Sequence, residues 1–492
     1  MHKLLILMSL SALWGTAVSA APTTAPARPN VVIIVADDMG FADVGFNGCT
    51  DIKTPNLDRL AASGVRLDQF YVQPVCSPTR AALMTGRYPM RHGLQVGVVR
   101  PWAQYGLPLE ERTLAQALKD AGYETAITGK WHLGHFQPEY LPTRRGFDHQ
   151  YGHYNGQIEY FEHTREGGFD WHRNDKVNRD EGYSTHLIAA EAVKRIAERD
   201  AKKPLFLYVP FNAVHGPHQV PEKYKAPYGA LKEPRRTYAG MMAAMDEAIG
   251  QILDALGANK MRENTLVLFT SDNGGAAPGS VTNNGPLRGG KGGLNEGGVR
   301  VAACAAWPGA IPAGGTVTQP LHAVDVYPTV LKLAGADAKQ KLPVDGMDAW
   351  ATISAGAAMP RRAILLNATP ADGAIRVGDW KLIINDRATG GGSAAAAGAD
   401  VGEGENAKSG SARRQARQFA AATADGIGAS ATMKLFNLAQ DPGEDKDVAA
   451  AHPEKVKELR AAYGQLAAQA VPPKGGAPRP ADFKAPAVWG EH

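Results

Sequence analysis

Apolar residues along this chain fall into two rhythms. Val31 to Ala36 is an unbroken, largely β-branched apolar run that stops at Asp37-Asp38, the pattern of a strand buried on both faces in a parallel sheet. Leu205 to Phe211 repeats the pattern and leads into a loop holding His215, and Thr265 to Thr270 leads into Ser271-Asp272-Asn273-Gly274. Between these runs, Thr113 to Ala121, Ser184 to Glu198 and Tyr238 to Leu256 have the composition and spacing of helices. Strands alternating with helices predict an α/β fold built on a large, mostly parallel sheet flanked by helices, with ligands met at the carboxyl ends of the strands.

Near Gly346 the alternation fades. Ala363 to Leu366, Ala374 to Arg376, Trp380 to Ile384 and Lys434 to Leu438 read as short antiparallel strands, and Pro453 to Gln469 as a closing helix. These elements predict a smaller C-terminal domain over residues 346–470, after a catalytic domain over 30–345. Residues 387–432, dominated by Ala, Gly and Ser, read as a flexible insertion in the smaller domain. Residues 471–492 form a Pro-rich tail, and no internal repeat is evident.

Composition narrows the function. With 492 residues, 44% of them hydrophobic and 21% charged, the chain can bury an ample core. Its net charge of +4 and the lack of a dense basic stripe give nucleic-acid binding little support. Lys3, the apolar run Leu4 to Leu13 and the small residues up to Ala20 read as a signal peptide over 1–20, followed by a flexible lead-in over 21–29. The run is too short to span a bilayer and no second stretch is long enough. An exported protein is expected, in a bacterial periplasm or fully secreted. Three cysteines, Cys49, Cys76 and Cys304, cannot build a disulfide framework, and whether Cys49 and Cys304 pair stays open.

The candidate chemistry sits at the strand ends. Asp37, Asp38, Asp272 and Asn273 offer oxygen donors suited to a hard divalent cation, Ca2+ before Mg2+; Asp and Asn also simply end strands. Cys76, in Cys76-Ser77-Pro78-Thr79-Arg80, lies just before a helix predicted over about Pro78 to Thr85, where free N–H groups favour an anion and an activated cysteine. An ordinary buried cysteine is the plainer alternative. Lys130 and His132, after the strand Glu124 to Thr128, are two residues apart on an extended segment and so project to one side. His215 suits proton donation to a departing oxygen, and Lys291 lies in the glycine-rich Arg288-Gly289-Gly290-Lys291-Gly292-Gly293. Taken singly, a histidine or lysine of this kind is more often a solvated surface residue. His149, His153, His163 and His172 lack the short spacings of zinc motifs, and no G-x-S-x-G elbow occurs.

Taken together these segments resemble the sulfatase family. Cys76-Ser77-Pro78-Thr79-Arg80 with Thr85-Gly86-Arg87 matches its C-x-P-x-R signature, the match runs from about Asn30 to Gly335, and Leu435-Phe436-Asn437-Leu438 with Asp441-Pro442-Gly443-Glu444 resembles its C-terminal signature. Leu141 to Asp148, Pro204 to Tyr208 and Glu296 to Arg300 are most similar to the arylsulfatase B, or N-acetylgalactosamine-4-sulfatase, type. The insertion at 387–432 and the small residues Gly292, Gly293 and Asn295 depart from that type. These departures bear on which alcohol carries the sulfate, for which Glu159, Tyr160 and His218 are candidate contacts.

The resemblance implies an alkaline-phosphatase-like fold and a Cys76 oxidised to Cα-formylglycine by a maturation enzyme. It implies one Ca2+ per chain held by Asp37, Asp38, Asp272 and Asn273 together with residue 76. The hydrated aldehyde would attack sulfur, with Arg80 and His132 acting on its hydroxyls, Lys130 and Lys291 on the sulfate oxygens, and His215 protonating the leaving alcohol. The function implied is hydrolysis of a sulfate ester on a carbohydrate or an aryl group. Two alternatives remain open at this point: a phosphodiesterase or phosphonate hydrolase of the same superfamily, and a noncatalytic protein that binds sulfated glycans.

Overall fold

The structure, a computed structural model, describes residues 28–360, 362–385, 427, 431–475 and 477–491. The leader expected over 1–20, most of the lead-in and nearly all of the 387–432 insertion lie outside them.

The apolar run at the start forms the strand Asn30–Ala36, buried along nearly its whole length. It lies between Leu205–Pro210 and Thr265–Ser271, parallel to both. Glu124–Lys130 and His149–His153 extend the parallel set to five strands. Both faces of this set are covered: Ser184–Glu198 and Arg235–Ala258 pack on one side, and Cys76–Thr85, Leu114–Asp120 and Val326–Ala334 on the other. Continuous burial explains why these strands read as unbroken apolar runs rather than as alternation.

The sheet is more mixed than the alternation predicts. Its ten strands run in the order Gly315–Val317, Val65–Leu67, Ala303–Ala306, Thr265–Ser271, Asn30–Ala36, Leu205–Pro210, Glu124–Lys130, His149–His153, His172–Arg173, Lys176–Val177. Ala303–Ala306 is antiparallel to both its neighbours, and the last two strands reverse direction at the far edge. These outer strands have two to four residues each, too few to show a period.

A separate antiparallel sheet, Ala363–Leu366, Gly373–Val377, Trp380–Ile384 and Met433–Asn437 in order, carries the helix Pro453–Ala467. Leu382, Ile384, Leu435, Leu459 and Tyr463 pack between them, while the other face, through Ile383 and Phe436, meets Tyr71, Leu294 and Val299 of the large domain. The chain then leaves the small domain as a strap. Val471 N–H bonds to Met90 O at 2.9 Å, Lys474 N–H to Gly93 O at 2.7 Å, and Trp489 N–H to Phe169 O at 2.9 Å. No helix of the described residues is long and apolar enough to cross a membrane.

Candidate active site

The register of the central strands places the acidic residues. Ala36 pairs with Ser271, so the next residue on each strand, Asp37 and Asp272, emerges beside the other at the carboxyl edge. Asp37 N–H continues the ladder to Ala213 O at 2.9 Å, and Asp272 N–H to Ala36 O at 3.0 Å. The chain then turns sharply at Asp38, whose φ of 62° is left-handed, a conformation costing a non-glycine residue about 1–3 kcal/mol. Asp38 N–H to Asp272 Oδ1 at 3.4 Å and Asn273 Nδ2 to Asp38 Oδ1 at 2.7 Å hold the turn.

Three cations balance the three carboxylates. Arg80 Nε and Nη2 both reach Asp272 Oδ2, at 3.0 and 2.7 Å, while Nη2 lies 3.6 Å from Asp37 Oδ2. Lys130 Nζ lies 2.5 Å from Asp37 Oδ2, and Lys291 Nζ 2.8 Å from Asp38 Oδ2. Except for the partly exposed Lys291, these groups are buried. Burial and the neighbouring Asp272 push Asp37 up, against the pull of Lys130 and Arg80. Lys291 and His215 hold Asp38 low although burial opposes them.

The donor set fits a hard cation. Asp37 Oδ1 and Asn273 Oδ1 are buried with no hydrogen-bond partner, a costly state that a bound cation relieves. One ligand atom from each of Asp37, Asp38, Cys76 and His215 lies within 4.8 Å of the others. The two carboxylates, with the buried Asn273 Oδ1 beside Asp38, supply the oxygen donors that Ca2+ or Mg2+ requires. Asp272, expected among the ligands, is outside this group and gives its Oδ2 to Arg80. The histidines set aside for zinc do not join this cluster: His153 and His163 stack on Trp171, at ring separations of 6.2 and 4.5 Å.

Cys76 differs in two respects from the sequence expectation. The helix begins at Cys76 itself and runs to Thr85, so the residue belongs to the first turn. Its thiol is not activated: burial pushes it up to about 12, and the nearby Lys130 and Lys291 do not offset this. Desolvation of a thiolate here outweighs both the helix terminus and the lysines.

The two histidines have tautomers set by their partners. His215 Nδ1 faces Gly216 O at 2.6 Å and Nε2 faces Lys291 Nζ at 3.0 Å. A carbonyl can only accept and an ammonium only donate, so the proton is on Nδ1 and Nε2 accepts. Burial, then Lys291, pushes His215 down to about 3. His132 Nε2 donates to Val99 O at 3.0 Å, leaving Nδ1 as a buried free lone pair. Burial, Lys130 and Arg80 keep this ring neutral. His132 does not continue the strand: it turns at φ 59°, fixed by its own N–H to Tyr154 O at 3.0 Å.

Several neighbours carry weight that sequence reasoning missed. Ser77 Oγ donates to His132 O at 2.9 Å and accepts from Val99 N–H at 3.0 Å, tying the Cys76 helix to His132. Tyr160, a candidate substrate contact from sequence, is buried and places its hydroxyl 2.7 Å from the carbonyls of Asn212 and His215. It therefore supports the His215 loop instead of facing a ligand. Glu159 pairs with Gln219, and His218 stacks edge-on against Tyr238 at 6.2 Å. Gly156 lies against the His132 ring. Only Ser77, inside the cysteine motif, had a local signal. Cys49, Cys76 and Cys304 are all free.

The family model described as Sulfatase matches residues 29–336. Arylsulfatase J of Mus musculus is 36% identical over 482 residues, covering 92% of this chain and 78% of that protein. The N-acetylgalactosamine-6-sulfatase of Mus musculus is 36% identical over 361 residues, covering 68% of each. Among solved structures, Ps i-CgsB in complex with k-i-k-neocarrahexaose superposes with a TM-score of 0.77 at 32% identity, covering 91% of this chain and 94% of that one.

Proposed function

The chain belongs to the sulfatase family, has its alkaline-phosphatase-like fold and is a sulfatase, and from that premise we propose that it hydrolyses sulfate esters of a carbohydrate with residue 76, matured to Cα-formylglycine, as nucleophile. The observation that carries this reading is the single cluster of Asp37, Asp38, Cys76 and His215 at the carboxyl edge of the sheet, ringed by Lys130, Lys291 and Arg80. A thiol held protonated is a poor nucleophile, whereas the matured residue would supply a geminal diol, one hydroxyl to attack sulfur and a second to expel sulfate. Asp37, Asp38, Asp272 and Asn273, with residue 76, would hold one Ca2+, which supplies Lewis-acid neutralisation of sulfate charge.

The chain's own residues divide the remaining work. Lys130 and Lys291 present fixed positive charge to the sulfate oxygens, needing little reorganisation as charge develops. Arg80, pinned by Asp272, steadies the hydroxyls at position 76. His132 takes a proton on its free Nδ1. The leaving alcohol is protonated by His215 from Nε2, which carries a proton once the Lys291 ammonium, 3.0 Å away here, has turned to the sulfate oxygens. An anionic sulfate beside Lys291 offsets one of the charges that depress His215. The related N-acetylgalactosamine-6-sulfatase and the Ps i-CgsB complex with k-i-k-neocarrahexaose favour a sulfated sugar as substrate. The leader read from the sequence of residues 1–20 supports work outside the cytoplasm, in a periplasm or beyond, with Cys76 matured by a separate enzyme.

Mass spectrometry of the Cys76 peptide from the native host, with turnover of 4-nitrophenyl sulfate by Cys76→Ala, tests the nucleophile. The expected results are an aldehyde at residue 76 and loss of turnover with the fold retained; unmodified Cys76 in active protein would sink it. His215→Ala should harm esters of poorly leaving alcohols about 10²–10⁴-fold and activated phenols far less. Equal losses across the series would remove His215 from the acid role.

A further inference from the structure

The loop that carries Lys291 is gripped from outside its own domain. Glu296, immediately downstream, is buried and receives three groups. Lys381 Nζ, from the small sheet, lies 2.9 Å from Oε1, Tyr71 OH lies 2.5 Å from Oε2, and Arg300 Nη1 approaches Oε2 at 3.8 Å. Lys381 Nζ also lies 2.9 Å from Glu444 Oε1. Glu444 returns to the loop, its Oε2 accepting Glu296 N–H at 2.5 Å and its carbonyl accepting Arg288 Nη1 at 3.1 Å. The side chains of Glu296, Lys381 and Glu444 are entirely buried.

These contacts bracket Lys291 on both sides, at Arg288 and at Glu296. Gly297 N–H to Arg288 O at 2.8 Å closes the loop on itself, while Gly292 N–H to Pro74 O at 2.8 Å and Lys291 N–H to Gly275 O at 3.2 Å set it against the Cys76 and Asn273 segments. The fit is close: a Cβ on Gly274 would stand 1.8 Å from Gly297 O. A glycine-rich loop has little intrinsic stiffness, so fixed charge must supply it. One ammonium shared by two buried carboxylates does this, because withdrawing it removes the cation that lies between Glu296 and Glu444 away from water.

We propose that Lys381 of the small domain is a positioning residue for Lys291, holding both ends of its loop through Glu296 and Glu444. This rests on the sulfate-clamping role given to Lys291 above. It gives the small domain a part in the reaction without contact to the substrate.

The test uses the matured, full-length enzyme, 4-nitrophenyl sulfate, and the variants Lys381→Met, Lys291→Ala and their double. Lys381→Met is expected to lower kcat/KM about 10–100-fold. In the double variant it should cost less than about 2-fold beyond Lys291→Ala, because two residues acting through one contact are not additive. In parallel, hydrogen exchange at residues 288–298 should quicken at least 10-fold in Lys381→Met, with 30–36 and 265–271 unchanged. Full additivity of the rate losses, or unchanged exchange at 288–298, overturns the proposal. A silent Lys291→Ala overturns the clamp role of Lys291 instead, and exchange then decides whether Lys381 positions the loop. Glu444→Gln, which keeps the shape, replaces Lys381→Met in both measurements if the latter does not fold.

Discussion

Gly156→Ala tests how closely His132 is held. A Cβ at position 156 would stand 2.3 Å from His132 Cε1 and 2.5 Å from Nε2, whereas ordinary contact begins near 3.4 Å. The ring must therefore yield by about 1 Å. It has no easy retreat, because Nε2 is bonded to Val99 O, the His132 carbonyl accepts from Ser77, and its N–H donates to Tyr154 O. A displacement of that size at a catalytic group costs on the order of 10² in rate, and losing the Val99 bond costs about 1 kcal/mol of stability. Steady-state turnover of 4-nitrophenyl sulfate and urea unfolding, both on matured protein, give the two numbers. Turnover within 2-fold of the parent would show that the His132 ring position is not critical, and with it that the reading of Nδ1 as the proton acceptor is wrong.

Arg80→Met strands the Asp272 carboxylate, whose Oδ2 the guanidinium holds twice, while Asp37 keeps Lys130, and should cost about 3–5 kcal/mol in urea unfolding of chelator-treated protein. A loss below about 1 kcal/mol would contradict the buried-pair account. Added Ca2+ should raise the stability of the parent by about 2.7 kcal/mol at a hundredfold excess over Kd; no shift would speak against a cation among these residues. Acid should loosen the fold through His92, which burial, Arg87 and Lys474 hold down to about 3 from 6.5. Its folded state binds fewer protons than its unfolded state, so its contribution is complete above pH 6.5 and is lost as pH falls toward 3. The slope is at most about 1.4 kcal/mol per pH unit, and His92→Leu should flatten it.

What could be read from the sequence depended on the range of the interaction. The helix Ser184–Glu198 and the strand Trp380–Ile384 follow from local pattern and match the structure end to end. Asp37 and Asp272 are legible as partners because each ends an apolar run, and parallel register does the rest. The antiparallel strand Ala303–Ala306 has four small residues and no period to announce it. Gly156 and Tyr160 act on His132 and His215 through space, and Lys381 meets Glu296 across 85 positions of sequence; no local rule pairs such residues. The Cys76 thiol shows the converse limit: helix terminus and lysines were visible, but the burial that outweighs them belongs to the assembled fold.

The strap from Val471 to Trp489 imposes an order in time. It bonds to Met90, Gly93 and Gln95, the start of the segment whose Val98 packs on Cys76. Those bonds to this segment form only after Val471 and Lys474, about 400 residues beyond Cys76, have been made. At roughly 5–20 residues per second, synthesis leaves an interval of about 20–80 s. The proposed maturation of Cys76 has this interval in which to act before the strap bonds form.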